Sequence, residues 1–312
     1  MSMLNKKKKS STKKYTLTKP NTIFAVAGEM VPGKGEDSYY YATVENNSIV
    51  AVFDGCGGIG SKRYGNYSEK TGAYVASRAV CGGVKSWFEE SPRQDEALKG
   101  YIKRALKVCD AYGDKGGRLM GSLTKSFPTT AAMVCVLDGE ATCYWAGDSR
   151  CYLLDEDGLH QLSEDDINGE DALSNIFDDG VLTNVICSSK DFVLHKKTIS
   201  LSKPGIFLTA TDGCFGYLKS PMDFEFLLTR TMLSTKNILD WQTLMHANIR
   251  EFTGDDYTLC VAAFGYEDFY SMQKSFSKRT AFVDQNYIKS PLPIPVKWQS
   301  YQKEYTKFMQ QS

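Results

Sequence analysis

Ser48-Ile49-Val50-Ala51-Val52-Phe53-Asp54-Gly55-Cys56-Gly57-Gly58 is an apolar run that ends on one carboxylate and a glycine-rich turn. Its length and β-branched content read as a buried strand. That strand delivers Asp54 into a turn with little side-chain bulk to screen it. Immediately upstream, Tyr39 to Glu45 is a second strand-like run, and Asn46-Asn47 between the two reads as a hairpin turn. Further upstream, Thr22 to Val26 is a short apolar strand.

Downstream the period changes. Ser68 to Phe88 places Ala76, Val80, Val84, Trp87 and Phe88 on one helical face, although Gly82-Gly83 weakens its second half. Asp95 to Tyr112 repeats the helical spacing with Leu98, Ile102, Leu106 and Cys109. Strands resume at Thr129 to Leu137 and Ala141 to Trp145 across Asp138-Gly139, then at Cys151 to Leu154 and Leu159 to Leu162 across Asp157-Gly158. Residues 164–190 are polar and read as a loop-rich insertion. Phe192 to Leu201 and Ile206 to Thr211 read as strands, Met222 to Leu233 and Ile238 to Phe252 as helices, and Thr258 to Phe264 as a last strand. Strands and helices fall in blocks rather than alternating, which predicts α+β with antiparallel sheets. After residue 265, Asp268 to Phe276 predicts a short helix. The alternate prolines of Ser290-Pro291-Leu292-Pro293-Ile294-Pro295 predict an extended segment, and Lys297 to Phe308 a closing helix. This C-terminal segment reads as packed across the body, with a partner-docking tail as the sharper alternative.

Charge separates a tail from a body. The chain of 312 residues has 37 basic and 37 acidic side chains, but Lys6, Lys7, Lys8, Lys9, Lys13 and Lys14 all lie in the first fourteen. Without those six, 31 basic residues face 37 acidic ones, a poor match to a nucleic-acid binder. Residues 1–20 read as a disordered lysine-rich tail. No apolar core follows the lysines, as a signal peptide requires, and no run is long enough to span a membrane. Nine cysteines without C-x-x-C pairs read as reduced, mostly buried thiols of a cytoplasmic protein.

Five acidic signals sit at strand edges: Glu36-Asp37, Asp54, Asp148, Asp212 and Asp255-Asp256. One Asp-Gly pair alone reads as a turn. Five strand-edge carboxylates grouped together repel unless cations intervene, and an all-oxygen donor set suits Mg²⁺ or Mn²⁺. His160, His195 and His246 have no zinc-like spacing.

In order, Gly35-Glu36-Asp37, Phe53-Asp54-Gly55-Cys56-Gly57-Gly58, Pro128-Thr129-Thr130-Ala131, Ala146-Gly147-Asp148-Ser149-Arg150, Leu162-Ser163-Glu164-Asp165, Thr211-Asp212-Gly213 and Asp255-Asp256-Tyr257-Thr258 complete a set. The set resembles the metal-dependent protein phosphatases, the type 2C serine/threonine phosphatases, in a bacterial form. The resemblance spans about residues 21–265 and leaves 266–312 as a C-terminal extension. It implies a four-layer α-β-β-α sandwich, two antiparallel sheets flanked by helix pairs. It also implies two divalent ions, Mg²⁺ or Mn²⁺, and a weaker third. Asp54 would bridge the pair, Asp212 and Asp255 would hold the first ion, and Glu36, Asp37 and the Gly55 carbonyl the second. Asp148 with Asp212 would serve the third. Residues 167–197 would form a flap. A water shared by the two ions would attack phosphorus in line, with no phosphoenzyme.

Three positions depart from the family pattern. Cys56 stands where eukaryotic members have a histidine assigned as general acid. Pro32 stands where a phosphate-binding arginine is usual. Lys34 is then the nearest cation, with Lys62 and Arg63 as alternatives. Asp256 replaces an asparagine common elsewhere. The expected catalytic set is thus Asp54, Lys34 and Cys56, acting on a phosphoprotein that is the target of a serine/threonine kinase. The enzyme is expected to be a monomer, with no nucleic-acid or membrane partner. A catalytically weak relative that binds a phosphoprotein or a kinase as a regulator is the alternative, favoured by Pro32.

Overall fold

The computed structural model describes residues 17–90, 92–112, 127–168, 171–177, 180–201 and 203–309. Most of the lysine-rich tail lies outside them. Twelve strands and seven α-helices follow in chain order: β1 Thr22–Gly28, β2 Ser38–Val44, β3 Asn47–Phe53, β4 Arg63–Tyr64, β5 Lys70–Thr71, α1 Gly72–Glu89, α2 Asp95–Tyr112, β6 Ala131–Leu137, β7 Glu140–Ala146, β8 Arg150–Asp155, β9 Gly158–Gln161, α3 Ser174–Phe177, β10 His195–Ile199, β11 Gly205–Ala210, α4 Pro221–Leu233, α5 Ile238–Phe252, β12 Tyr257–Phe264, α6 Phe269–Val283 and α7 Ile294–Tyr305.

Two five-stranded antiparallel sheets, ordered β1-β12-β11-β8-β9 and β10-β7-β6-β3-β2, pack face to face. The β3 run explains why the sandwich has four layers. Ile49, Ala51 and Phe53 point outward into a core with Val80, Val84 and Trp87 of α1 and Leu98 and Ile102 of α2. Val50 and Val52 point inward against Val134, Leu153, Phe207 and Cys260. With both faces covered, the strand has no polar side, so its sequence shows no alternation. β12 does the same on the other sheet, with Leu259, Val261 and Ala263 toward the outer helices and Cys260, Ala262 and Phe264 inward. Full burial of each such side chain contributes about 1.5–3 kcal/mol.

The outer layer on β1-β12-β11-β8-β9 holds more than one helix pair. α6 and α7 join α4 and α5 there, and Phe276, Val283, Trp298, Tyr301 and Tyr305 share their core with Leu208 and Val261. α6 is longer than expected and continues into a π-helical turn, Asp284–Ile288. The proline-rich segment is extended only as far as Pro293. Ile294 opens α7 with Pro295 in its first turn, where the missing N–H costs nothing. α1 starts at Gly72 rather than Ser68, because Ser68 and Glu69 take left-handed backbone angles before Thr71 caps the helix. Gly82-Gly83 does not interrupt it; Gly83 lies against the Tyr101 carbonyl of α2, where a Cβ would crowd the helix crossing. Residues 195–197 of the expected flap are the first residues of β10, paired with β7.

Candidate metal centre

Five chain segments bring carboxylates to one end of the sandwich. Asp54 follows β3, Asp212 follows β11, Glu36 and Asp37 precede β2, Asp148 lies between β7 and β8, and Asp255 lies between α5 and β12. The grouping is electrostatically evident. Burial raises the Asp54 carboxyl well above the usual range, and the charges of Asp212, Asp37, Asp148 and Asp255 raise it further. Burial also pushes Asp37 up to about 8, Asp148 up to about 7 and Asp212 up to about 6, with another carboxylate adding to the shift in each case. Glu36 is raised by burial and by Asp256 and Asp255, against the Thr71 hydroxyl that donates to it.

Neighbours fix most of these groups in place. The hydroxyls of Thr211 and Thr258 each donate to Asp37 Oδ2 at 2.9 Å. Thr130 and Thr129 hold the Asp54 backbone: Thr130 N donates to Asp54 O at 2.8 Å and Thr129 Oγ1 donates to the same carbonyl at 2.6 Å. Asp256 Oδ1 accepts from Met30 N and Asp256 Oδ2 from Glu36 N, both at 2.8 Å. One carboxylate therefore clamps both ends of the loop that carries Glu36. Arg78 secures the same loop from α1, donating to Gly35 O at 3.1 Å and Glu36 O at 3.3 Å while its face lies 3.5 Å from the Tyr74 ring centroid.

The two Asp-Gly pairs are not turns that need a left-handed residue; neither Gly55 nor Gly213 has positive φ. Each glycine admits another backbone. A Cβ on Gly55 would lie 2.7 Å from Ala73 O, and one on Gly213 would collide with Asp256 O. Glycine here brings chain segments close enough for their carboxylates to group.

The donors fit a hard divalent cation. All are oxygens, they repel one another, and Asp148 Oδ1 is buried with no hydrogen-bond partner. Among the described residues, no three His, Cys, Asp or Glu side chains close on a single point.

The remaining expected residues divide. Cys56 is half-buried beside the cluster, and burial together with Asp54, Asp148 and Asp212 pushes its thiol well up, so it stays protonated. Lys34 is exposed, and its ammonium has no partner among the described residues. Arg63 donates to Glu69 O at 2.8 Å. Asp165 is locked by Arg150 in a buried bidentate pair, 2.9 Å to Nε and 2.6 Å to Nη2. His160, His195 and His246 bond to Asp155, Asp166 and Tyr257 and do not join the cluster. The threonine supports of Asp37 and the clamping role of Asp256 were not legible in sequence, because their partners lie about 170 to 230 residues away.

A family model described as Protein phosphatase 2C matches residues 34–252. The chain belongs to this family. By family it is a metal-dependent serine/threonine protein phosphatase, a hydrolase whose relatives use Mg²⁺ or Mn²⁺. Solved bacterial structures share the fold. The phosphatase MsPP of Mycobacterium smegmatis, in complex with cacodylate, is 15% identical, with a TM-score of 0.58 over 79% of this chain and 100% of that one. Stp1 of Staphylococcus aureus is 18% identical, with a TM-score of 0.58 over 80% and 98%. PstP of Mycobacterium tuberculosis is 18% identical, with a TM-score of 0.56 over 78% and 99%, and its catalytic domain has been solved with two manganese ions. Comparison with curated proteins finds no match.

Proposed function

We propose that the carboxylate cluster is the working centre of an active phosphoprotein phosphatase. In this reading Asp54, Asp212 and Asp255 would hold one ion, and Asp54, Glu36, Asp37 and the Gly55 carbonyl a second. Asp148 with Asp212 offers a weaker third. The observation that carries the assignment is the grouping of buried, mutually repelling carboxylates around Asp54, a charge that bound divalent cations would offset at neutral pH. When bound, such ions supply a water deprotonated near neutral pH and offset charge on the phosphoryl oxygens.

The chain's own residues do the positioning. Thr211 and Thr258 orient Asp37, Asp256 and Arg78 hold the loop that carries Glu36, and Thr129 and Thr130 fix the end of β3. Cys56 acts as a small spacer beside the cluster, its thiol pushed up by burial. The substrates are phosphoserine and phosphothreonine placed by a protein kinase, and the chain works as a cytoplasmic monomer. No helix among the described residues is long and apolar enough to cross a membrane.

Hydrolysis of p-nitrophenyl phosphate and of a phosphothreonine peptide, with Mn²⁺ or with EDTA, tests the assignment. Metal-dependent turnover is expected. Turnover that persists in EDTA refutes the metal reading, and metal binding without turnover favours the regulatory alternative.

A further inference from the structure

A cavity of about 520 Å³ adjoins the carboxylate cluster, lined by Pro32, Asp37, Tyr39, Arg78, Arg250 and Asp256 among others. Its lining carries the carboxylates of Glu29, Asp37 and Asp256 and the guanidiniums of Arg78 and Arg250. Asp37 accepts from two threonines, Asp256 from two backbone N–H groups, and Glu29 from Gly33 N. Arg78 is spent on the Gly35 and Glu36 carbonyls and the Tyr74 ring. Arg250, exposed in the last turn of α5, has no side-chain hydrogen bond or ion pair among the described residues, and its charge faces the Tyr257 phenol. Tyr39, 44% exposed, lines the same cavity and stacks on Tyr41, 40% exposed, with ring centroids 6.3 Å apart and planes 5° from parallel. Exposed stacked tyrosines beside an unpartnered arginine make the combination that dominates peptide-binding hot spots.

We propose that this cavity binds the segment of the substrate beside the phosphorylated residue, with Arg250 pairing to an acidic side chain and Tyr39, backed by Tyr41, offering an apolar wall. The inference rests on the phosphatase reading and specifies its substrate class: phosphopeptides with an acidic residue near the phosphorylated one. Arg250 is a specificity-determining residue in this account. A guanidinium with all its donors free presents a fork that matches a carboxylate.

The test uses phosphothreonine peptides in which one glutamate, or one lysine, is walked along either side of the phosphothreonine. For each position, the ratio of kcat/KM for the glutamate peptide to that for the lysine peptide is measured in Mn²⁺ for wild type and for Arg250→Glu. The ratio is internal to each enzyme, so partial misfolding does not alter it. At one position wild type should prefer glutamate by about fivefold, near the upper end for an ion pair reached by solvent. The variant should prefer lysine there. A wild-type ratio near one at every position overturns the inference, as does a preference that Arg250→Glu leaves unchanged. Peptide affinity by fluorescence anisotropy on Asp54→Asn gives the same ratio without turnover. p-Nitrophenyl phosphate has no flanking residue, so loss of its hydrolysis in EDTA reports on the metal centre alone.

Discussion

Replacing Glu225 with leucine should cost about 3–5 kcal/mol, because Glu225 joins the C-terminal helices to the sandwich. Its side chain on α4 is fully buried. Oε1 accepts from Arg279 Nε of α6 at 2.5 Å, and Oε2 accepts from Arg279 Nη2 at 2.9 Å and from the Tyr301 hydroxyl of α7 at 2.5 Å. Leucine removes three acceptor contacts at once. It leaves a guanidinium only 13% exposed without its anion and a buried phenol without an acceptor. Even at 2–3 °C per kcal/mol, suitable for a chain of this size, the melting temperature should fall by roughly 6–15 °C. The double variant Glu225→Leu/Arg279→Leu removes both charges and should recover most of the loss. Thermal and urea unfolding of the wild type, both single variants and the double variant give the cycle. A single-variant loss below about 1 kcal/mol, or no recovery in the double variant, refutes the argument that this buried pair fastens α6 and α7 to the body.

Three further outcomes follow from the centre itself. Asp256→Ala frees the Met30 and Glu36 N–H groups, so Mn²⁺ affinity measured by titration should weaken about tenfold, the usual effect of losing a residue that supports a ligand. Cys56→Ser should keep kcat within about threefold; loss of turnover with metal still bound would show that the thiol does more than fill space. In EDTA, stability should rise as pH falls. Asp37, Asp148 and Asp212 have folded values near 8, 7 and 6, above the 3.8 expected of a free aspartate, so the folded state takes up protons first. Their penalty is complete above about pH 8 and is relieved as pH falls toward 4, whereas saturating Mn²⁺ should flatten that dependence. A melting temperature that falls from pH 8 to pH 6 in EDTA would contradict this.

The carboxylate-bearing frame is legible in the sequence because each aspartate ends or flanks a strand whose apolar run is visible locally. Asp54 after Ile49–Phe53 and Asp212 after Ile206–Ala210 are the clearest cases. The meaning of the following glycines was not: they admit the Ala73 and Asp256 backbones, a long-range requirement that no local pattern encodes. Lys34 and Arg250 are both exposed; Arg78 and Arg250 line the flanking cavity from helices that carry no local sign of it. The proline-rich segment turns helical at its C-terminal end because proline, excluded from helix interiors, is tolerated in the first turn, where α7 places Pro295. α6 runs past Phe276 because Thr280 and Val283 continue the buried stripe of Met272 and Phe276 at helical spacing, a stripe in which Thr280 is polar and carries no hydrophobic signal.

The most direct test of the central claim is the number of Mn²⁺ ions bound per chain, measured by equilibrium dialysis, for wild type and Asp54→Asn, with phosphothreonine-peptide turnover measured on the same samples. The carboxylate cluster predicts two tightly held ions in wild type, with at least one lost and turnover abolished in the variant. Unchanged stoichiometry and unchanged turnover in Asp54→Asn would contradict it.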